Sequence, residues 1–257
     1  VDYVVQSLPE VVGPHLAARG GFTVTTTLDL EFNHRITALA REHIARLRPE
    51  QRVGDAAVVV VRPGSGEILA MVGGLDYDAP GSGQVNVAIS PRQVGSAFKP
   101  ITYAAALEAG WSPARVLWDI PLRFDAGDGT EYRPNNYDGT YNGPVRMRKA
   151  LANSLNAASV QLLAEVGVEP VHRLATDLGL SLLDDPWQYG LSLTLGGAEV
   201  SLLELTGAFA AFADEGRFAP PTPVLTVRRL SDGALIYERE PAVSPVVSPA
   251  TAWLMWD

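Results

Sequence analysis

A hydroxyl and an amine lie three residues apart in the stretch Gln93-Val94-Gly95-Ser96-Ala97-Phe98-Lys99-Pro100. Serine is a weak nucleophile until a neighbouring group takes its proton. A lysine can be that group if burial makes its amine neutral. The chain has 20 Lys+Arg, and only Lys99 and Lys149 are lysines. Arginine keeps its proton in proteins. A chain that uses arginine almost everywhere yet places lysine beside a serine is suited to base chemistry there. A surface lysine next to a helix-capping serine has the same spelling, so the spacing alone does not decide.

The same stretch predicts its own geometry. Gly95 permits a sharp turn, and Pro100 is tolerated only within the first turn of a helix, so a helix should begin close to Ser96. Apolar Ile101, Ala104, Ala105 and Leu107 carry it to a stop at Gly110. Positions i and i+3 share a helix face, which makes Ser96 and Lys99 neighbours. Backbone N–H groups at the helix start would face a developing oxyanion.

A second candidate, Ser154-Leu155-Asn156, follows Ser96 by 58 residues. A hydroxyl facing the lysine could relay a proton, and an amide could hold a substrate carbonyl. Leu155 would then turn into the core. The competing reading makes Ser154 the N-cap of a helix starting at Ala157.

Composition narrows the classes. The 257 residues suit one large domain, or one domain with a lead-in. A formal net charge of -9 argues against nucleic acid. The chain has no cysteine, which removes disulfides, thiol nucleophiles and zinc–thiolate sites. No run reaches the 18 apolar residues of a membrane span. The four histidines lack the His-Glu-x-x-His spacing, no Gly-x-Ser-x-Gly elbow occurs, and neither lysine follows a glycine as a phosphate loop requires. His34 and His43 read as surface residues of one helix. Asp184-Asp185 and Asp125-Ala126-Gly127-Asp128 read as turn carboxylates. No metal or cofactor is expected.

The elements that must position these groups follow in order. Residues 1–22 read as a lead-in with Pro9, Pro14 and Gly20-Gly21. A strand is expected over Phe22 to Thr27, then a helix capped by Asp29 running to Leu47 with Ile36, Ala40, Ile44 and Leu47 on one face. Ala56 to Arg62 and Glu67 to Val72 flank Pro63-Gly64-Ser65-Gly66 and predict an antiparallel hairpin. The polar stretch from Trp111 to Gly143 is too long for a structureless loop, so short strands or a function are expected in it. Helices are expected over Val145 to Ala152, Ala157 to Val166, Glu169 to Leu178 and Val200 to Ala213. Two short strands then surround Ser231-Asp232-Gly233, and a last helix starts at Pro249.

These residues together resemble the transpeptidase domain of class A penicillin-binding proteins, the 1C-like branch among them. The resemblance covers nearly the whole chain. It rests on Thr25-Thr26-Thr27-Leu28-Asp29, Gly66-Glu67-Ile68-Leu69-Ala70-Met71-Val72-Gly73-Gly74, the Ser96 stretch, Asn136-Tyr137-Asp138-Gly139, Ser154-Leu155-Asn156 and Leu195-Gly196-Gly197-Ala198-Glu199-Val200, in that order. Of the superfamily's Ser-x-x-Lys, Ser-Asp-Asn and Lys-Thr-Gly set, the first is present, the second has Leu155 at its centre, and the third is missing.

The resemblance implies an α+β fold of the transpeptidase and serine β-lactamase kind, an antiparallel sheet of about five strands flanked by helices, with the Lys-Thr-Gly strand following Asp257. Residues 1–53 would be linker and lead-in, and 54–257 an incomplete transpeptidase domain expected to acylate slowly by itself. It implies a peptidoglycan D,D-transpeptidase on the extracytoplasmic face of a bacterial membrane, its anchor and glycosyltransferase domain upstream. Ser96 would attack the D-Ala-D-Ala carbonyl of a stem peptide, or a β-lactam. Lys99 would act as base, Ser154 as proton relay and Asn156 as substrate holder. A β-lactam sensor and a β-lactamase are the alternatives. The first is disfavoured by the Thr25 to Leu47 and Asn136 to Gly139 regions, and the second by the lack of a Glu-x-x-Leu-Asn.

Overall fold

A computed structural model describes residues 1–81, 83–125 and 131–257. The chain separates into two compact units, residues 1–90 with 219–244, and residues 91–218 with 245–257. Asp128, one of the turn carboxylates named above, lies outside the described residues.

In the first unit, the segment read as a lead-in forms two short helices, Asp2–Val12 and Pro14–Arg19. Pro14 opens the second at the position where proline is tolerated, and no residue of either helix is buried. Phe22–Thr26 pairs antiparallel with Val224–Arg229, which pairs in turn with Leu235–Glu238 across the Ser231-Asp232-Gly233 turn. The Asp29 carboxylate accepts from Phe32 N at 2.9 Å, and the helix runs Leu30–Leu47 as its capping signal predicts. Its buried residue, Ile44, packs with Val72 and Leu75, supported by Ile36 and Ala40 from the expected face.

The hairpin pairs Val58–Val61 with Ile68–Val72, Val58 opposite Val72. The far edge of Ile68–Val72 is occupied along its length. Thr27 Oγ1 donates to Ile68 O at 2.8 Å, Asp29 N to Leu69 O at 3.0 Å, and Asn33 Oδ1 accepts from Met71 N at 2.9 Å. The Thr25-Thr26-Thr27-Leu28-Asp29 signature thus serves as an edge cover for the hairpin, a role its letters do not reveal.

The second unit is mainly helical and is built around Lys99–Glu108. Residues Ile101 to Ala106 of this helix are all buried, so its apolar character extends all round rather than along one stripe. Small side chains at Ala104, Ala105 and Ala106 let neighbouring helices approach closely. Asn156–Val166, Val168–Asp177 and Pro249–Trp256 pack on it. Leu202–Ala213 begins with a complete capping box, in which Ser201 Oγ accepts from Glu204 N while Glu204 Oε2 accepts from Ser201 N.

The polar stretch after Gly110 contains the expected short strands. Val116–Asp119 pairs with Gly143–Arg146, Leu117 opposite Val145. Val145 and Arg146 therefore belong to a strand, and the helix expected from Val145 begins at Met147. Pairing with Val116–Asp119 overrides the helical reading of those two residues.

Candidate active site

Ser96 lies not on the α-helix itself but on a tighter 3-10 turn, Gly95–Phe98, that leads into it. The α-helix begins at Lys99, with Pro100 in its first turn. Lys99 N donates back to Ser96 O, the i to i+3 bond of such a turn. In this geometry residues i and i+3 eclipse, so Ser96 and Lys99 remain neighbours although the reason differs from the one the spacing gave. Ser96 is exposed, while Lys99 is 1% exposed.

The turn is held from the other side by the Leu195 to Val200 segment. Arg92 pairs with Val200 and Gln93 with Glu199. Gly196 ends the 3-10 helix Gly190–Leu195 in the left-handed region at φ 78°. These contacts fix the Ser96 turn against a backbone wall.

Ser154 and Asn156 come from a junction between two helices. Leu155 N donates to Ala150 O at 3.0 Å and Ser154 N to Leu151 O at 2.9 Å, which is a Schellman closure of the helix Met147–Ala152. Ser154 occupies the left-handed position of that closure, at φ 53°. Glycine is the usual residue there, and a serine costs roughly 1–2 kcal/mol. A strained non-glycine residue at such a position marks a candidate functional side chain. Ser154 is not an N-cap: the cap of Asn156–Val166 is Leu155, with no side-chain cap bond of its own. Leu155 packs against the core cluster around Tyr103, Leu117 and Leu162, as its place between two polar residues suggested.

Three of the four predicted residues, Lys99, Ser154 and Asn156, meet at the Lys99 amine. Lys99 Nζ donates to Ser154 O at 2.6 Å, Ser154 Oγ at 3.1 Å and Asn156 Oδ1 at 2.6 Å. Among the described residues none of its hydrogen bonds goes to the Ser96 hydroxyl. An ammonium has three donors, so this is the arrangement of the protonated amine. Burial pulls its pKa from 10.5 down to about 8. At neutral pH about a tenth of the molecules would carry the free amine. That form satisfies both 2.6 Å acceptors with two N–H groups and has a lone pair left for a hydroxyl proton.

Two residues with no role assigned from sequence complete the site. Asn136 Oδ1 accepts from Asn156 N at 2.7 Å, and Asn136 Nδ2 donates to Asp119 Oδ1 at 2.8 Å. Asn136 was visible only within Asn136-Tyr137-Asp138-Gly139, one of the stretches that carry the resemblance, and Asp119 carried no signal. The Asp185 carboxylate accepts from Trp187 N as a turn cap, in line with its reading as a turn residue.

Residues 56–257 match the family model described as penicillin binding protein transpeptidase domain. The chain belongs to the penicillin-binding protein transpeptidase family. It is 36% identical over 219 residues to penicillin-binding protein 1C of Escherichia coli, covering 82% of this chain and 27% of that protein. The chain therefore spans about a quarter of the length of that relative. In fold it is similar to the penicillin-binding protein PonA1 of Mycobacterium tuberculosis, with a TM-score of 0.78, 23% identity, and coverage of 97% of this chain and 65% of that one. A penicillin G acyl-enzyme complex of penicillin-binding protein A from the same organism matches with a TM-score of 0.73 at 25% identity, covering 91% and 62%.

Proposed function

We propose that this chain is the transpeptidase part of a peptidoglycan synthase, working through a serine acyl-enzyme at Ser96 and trapped there by β-lactams. The observation that carries the reading is the Lys99 amine, fully enclosed, lowered to about 8, and held by Ser154 and Asn156 beside an exposed serine.

In the forward reaction Ser96 Oγ forms a bond to the carbonyl carbon of the penultimate D-Ala, and its proton passes to Lys99 Nζ. The tetrahedral intermediate then collapses and the C–N bond to the terminal D-Ala breaks. The leaving amine takes the proton from Lys99 by way of Ser154 Oγ. In this reading Asn156 holds a substrate amide. An amine of a second stem peptide attacks the ester, gives up a proton along the same route, and Ser96 leaves reprotonated. A β-lactam carbonyl enters the first step in the same way. Its ring nitrogen stays tethered after the C–N bond breaks, so the acyl-enzyme is left without a diffusing leaving group.

The penicillin G acyl-enzyme of the similar protein A supports the covalent step. In this reading residues 1–53 lead in to the catalytic part, supported by the start of the family match at residue 56. The substrate is then a stem peptide, and the full protein carries a glycosyltransferase domain and works on the outer face of the bacterial inner membrane, as the resemblance to class A penicillin-binding proteins implies; the relatives are named penicillin-binding proteins 1C and 1A. No helix among the described residues is long and apolar enough to cross a membrane. The test is labelling of the full-length protein with a fluorescent penicillin. Label should attach to the native protein and be lost in Ser96→Ala, and label persisting in that variant would overturn the assignment.

A further inference from the structure

The helix Asn156–Val166 starts without a cap from its own sequence, yet its first N–H groups are not free. Asn136 Oδ1, twenty residues earlier in the chain, accepts from Asn156 N at 2.7 Å and Ala157 N at 3.3 Å. Asn136 thus does from a distance what Ser or Asp normally does at the N-cap. An amide can be turned either way, so something must keep its oxygen toward the helix. Asn136 Nδ2 donates to Asp119 Oδ1 and to Thr140 O, both at 2.8 Å. Asp119 is 0% exposed, and its other oxygen accepts from Asn142 N and Asn142 Nδ2. A fully buried carboxylate is costly unless its lone pairs are filled, and here all its named partners are amide donors, which fixes its direction.

The same anchor reaches the amine. The Asn156 side chain is pinned at both ends, Nδ2 donating to Asn135 O at 2.9 Å and Oδ1 accepting from Lys99 Nζ. Asn135 and Asn136 are adjacent, so one short segment holds both the backbone and the side chain of Asn156.

Resting on the serine acyl-enzyme reading above, we propose that Asn136 is a positioning residue for acyl transfer. Oriented by buried Asp119, it sets where Asn156 and Ser154 meet the Lys99 amine. It touches no reacting atom, and its effect falls on the rate of bond formation rather than on binding of the β-lactam.

Asn136→Asp separates this role from plain helix capping. Aspartate is as good a cap as asparagine, so the helix start is kept. Its second oxygen, however, faces Asp119 Oδ1 in place of a donor, and two carboxylates repel. Adding Asp119→Asn restores a donor–acceptor pair between positions 119 and 136 with the polarity reversed, and leaves only the Thr140 O contact without a donor.

The experiment measures acylation of the full-length protein by a fluorescent penicillin across pH, resolving the rate constant of bond formation from the prior dissociation constant. In Asn136→Ala and Asn136→Asp the rate constant should fall about 10- to 100-fold, with the dissociation constant nearly unchanged and the pH of half-maximal rate displaced. The double variant should be acylated at least about threefold faster than Asn136→Asp, the non-additivity expected of a contacting pair. Should Asn136→Ala fail to fold, Asn136→Asp and the double variant carry the test. Wild-type rate and pH profile in Asn136→Asp would show capping alone and overturn the inference. Failure of the double variant to recover would overturn the part played by Asp119. Wild-type protein that is not labelled at Ser96 would instead remove the acyl-enzyme reading itself, and this inference with it.

Discussion

Gly196 stands directly against the backbone of Gly95. A Cβ placed on Gly196 would come 2.1 Å from Gly95 N and 2.4 Å from Gly95 O. No side chain can occupy that space, so the backbone would have to move, and the backbone in question is the turn that carries Ser96.

Gly196→Ala should therefore damage chemistry more than folding. Displacing a nucleophile by about 1 Å can cost on the order of 10²-fold in rate. Gly233→Ala provides the comparison. Gly233 also has a positive φ, at 71°, but nothing lies within 4 Å of a Cβ there. It should lose about 1 kcal/mol of stability from backbone strain alone and be acylated at the wild-type rate. Stopped-flow acylation and thermal unfolding of both variants check the pair. Equal acylation in the two would show that the Gly95–Gly196 approach does not seat Ser96.

The Lys99 amine makes both rate and stability depend on pH. With its pKa at about 8, the rate of acylation should rise about tenfold from pH 6 to pH 7 and level off above about pH 8. The stability effect has the opposite sign to that of an ion-paired lysine. The folded state holds the proton less tightly than the unfolded chain, whose lysine titrates at 10.5. Below pH 8 the penalty for burying the charge is fully present, and between about 8 and 10.5 it is relieved, by roughly 3 kcal/mol in total. The stability difference between wild type and Lys99→Met should be flat below pH 8 and shift in favour of wild type above it. A difference that stays flat across the alkaline range would mean that the amine is not desolvated.

Ser154 allows function and stability to be separated at one position. Ser154→Gly removes the hydroxyl and also relieves the left-handed strain, so it should be more stable than Ser154→Ala, which loses the same acceptor for Lys99 but keeps the strain, by about 1 kcal/mol. Both should slow acylation, because neither can relay a proton. Thermal unfolding of the two alongside the acylation rates tests this, and a Ser154→Gly protein with full activity would exclude the relay.

Much of this site is legible from sequence where local rules decide. Asp29 announces its helix, and Pro63-Gly64-Ser65-Gly66 between two apolar runs announces the hairpin. Pro100 places the start of the helix that follows Ser96, and Ser-x-x-Lys with Ser154-Leu155-Asn156 names the candidate residues, of which Lys99, Ser154 and Asn156 are joined by hydrogen bonds. What was missed depends on contacts between distant segments. Asp119 reaches Asn136 across 17 positions, and nothing in the letters around Asp119 distinguishes it from a turn carboxylate. Residues 1–22 read as a lead-in because Pro9, Pro14 and Gly20-Gly21 break their pattern, and within them two short exposed helices, Asp2–Val12 and Pro14–Arg19, tolerate those prolines. Val145 and Arg146 follow their strand partners Leu117 and Val116 rather than their own helical surroundings.

The central claim is that Ser96 forms the covalent bond and Lys99 makes it possible. Mass spectrometry of the full-length protein after brief exposure to penicillin G and digestion with trypsin tests it most directly. Trypsin does not cut between Lys99 and Pro100, so Ser96 and Lys99 fall in one peptide, residues 93–115. That peptide should carry the penicilloyl adduct on Ser96 in wild type and none in Ser96→Ala. In Lys99→Met the adduct should accumulate at least about 10²-fold more slowly. An adduct on any other residue, or one formed at the wild-type rate without the Lys99 amine, would contradict the account.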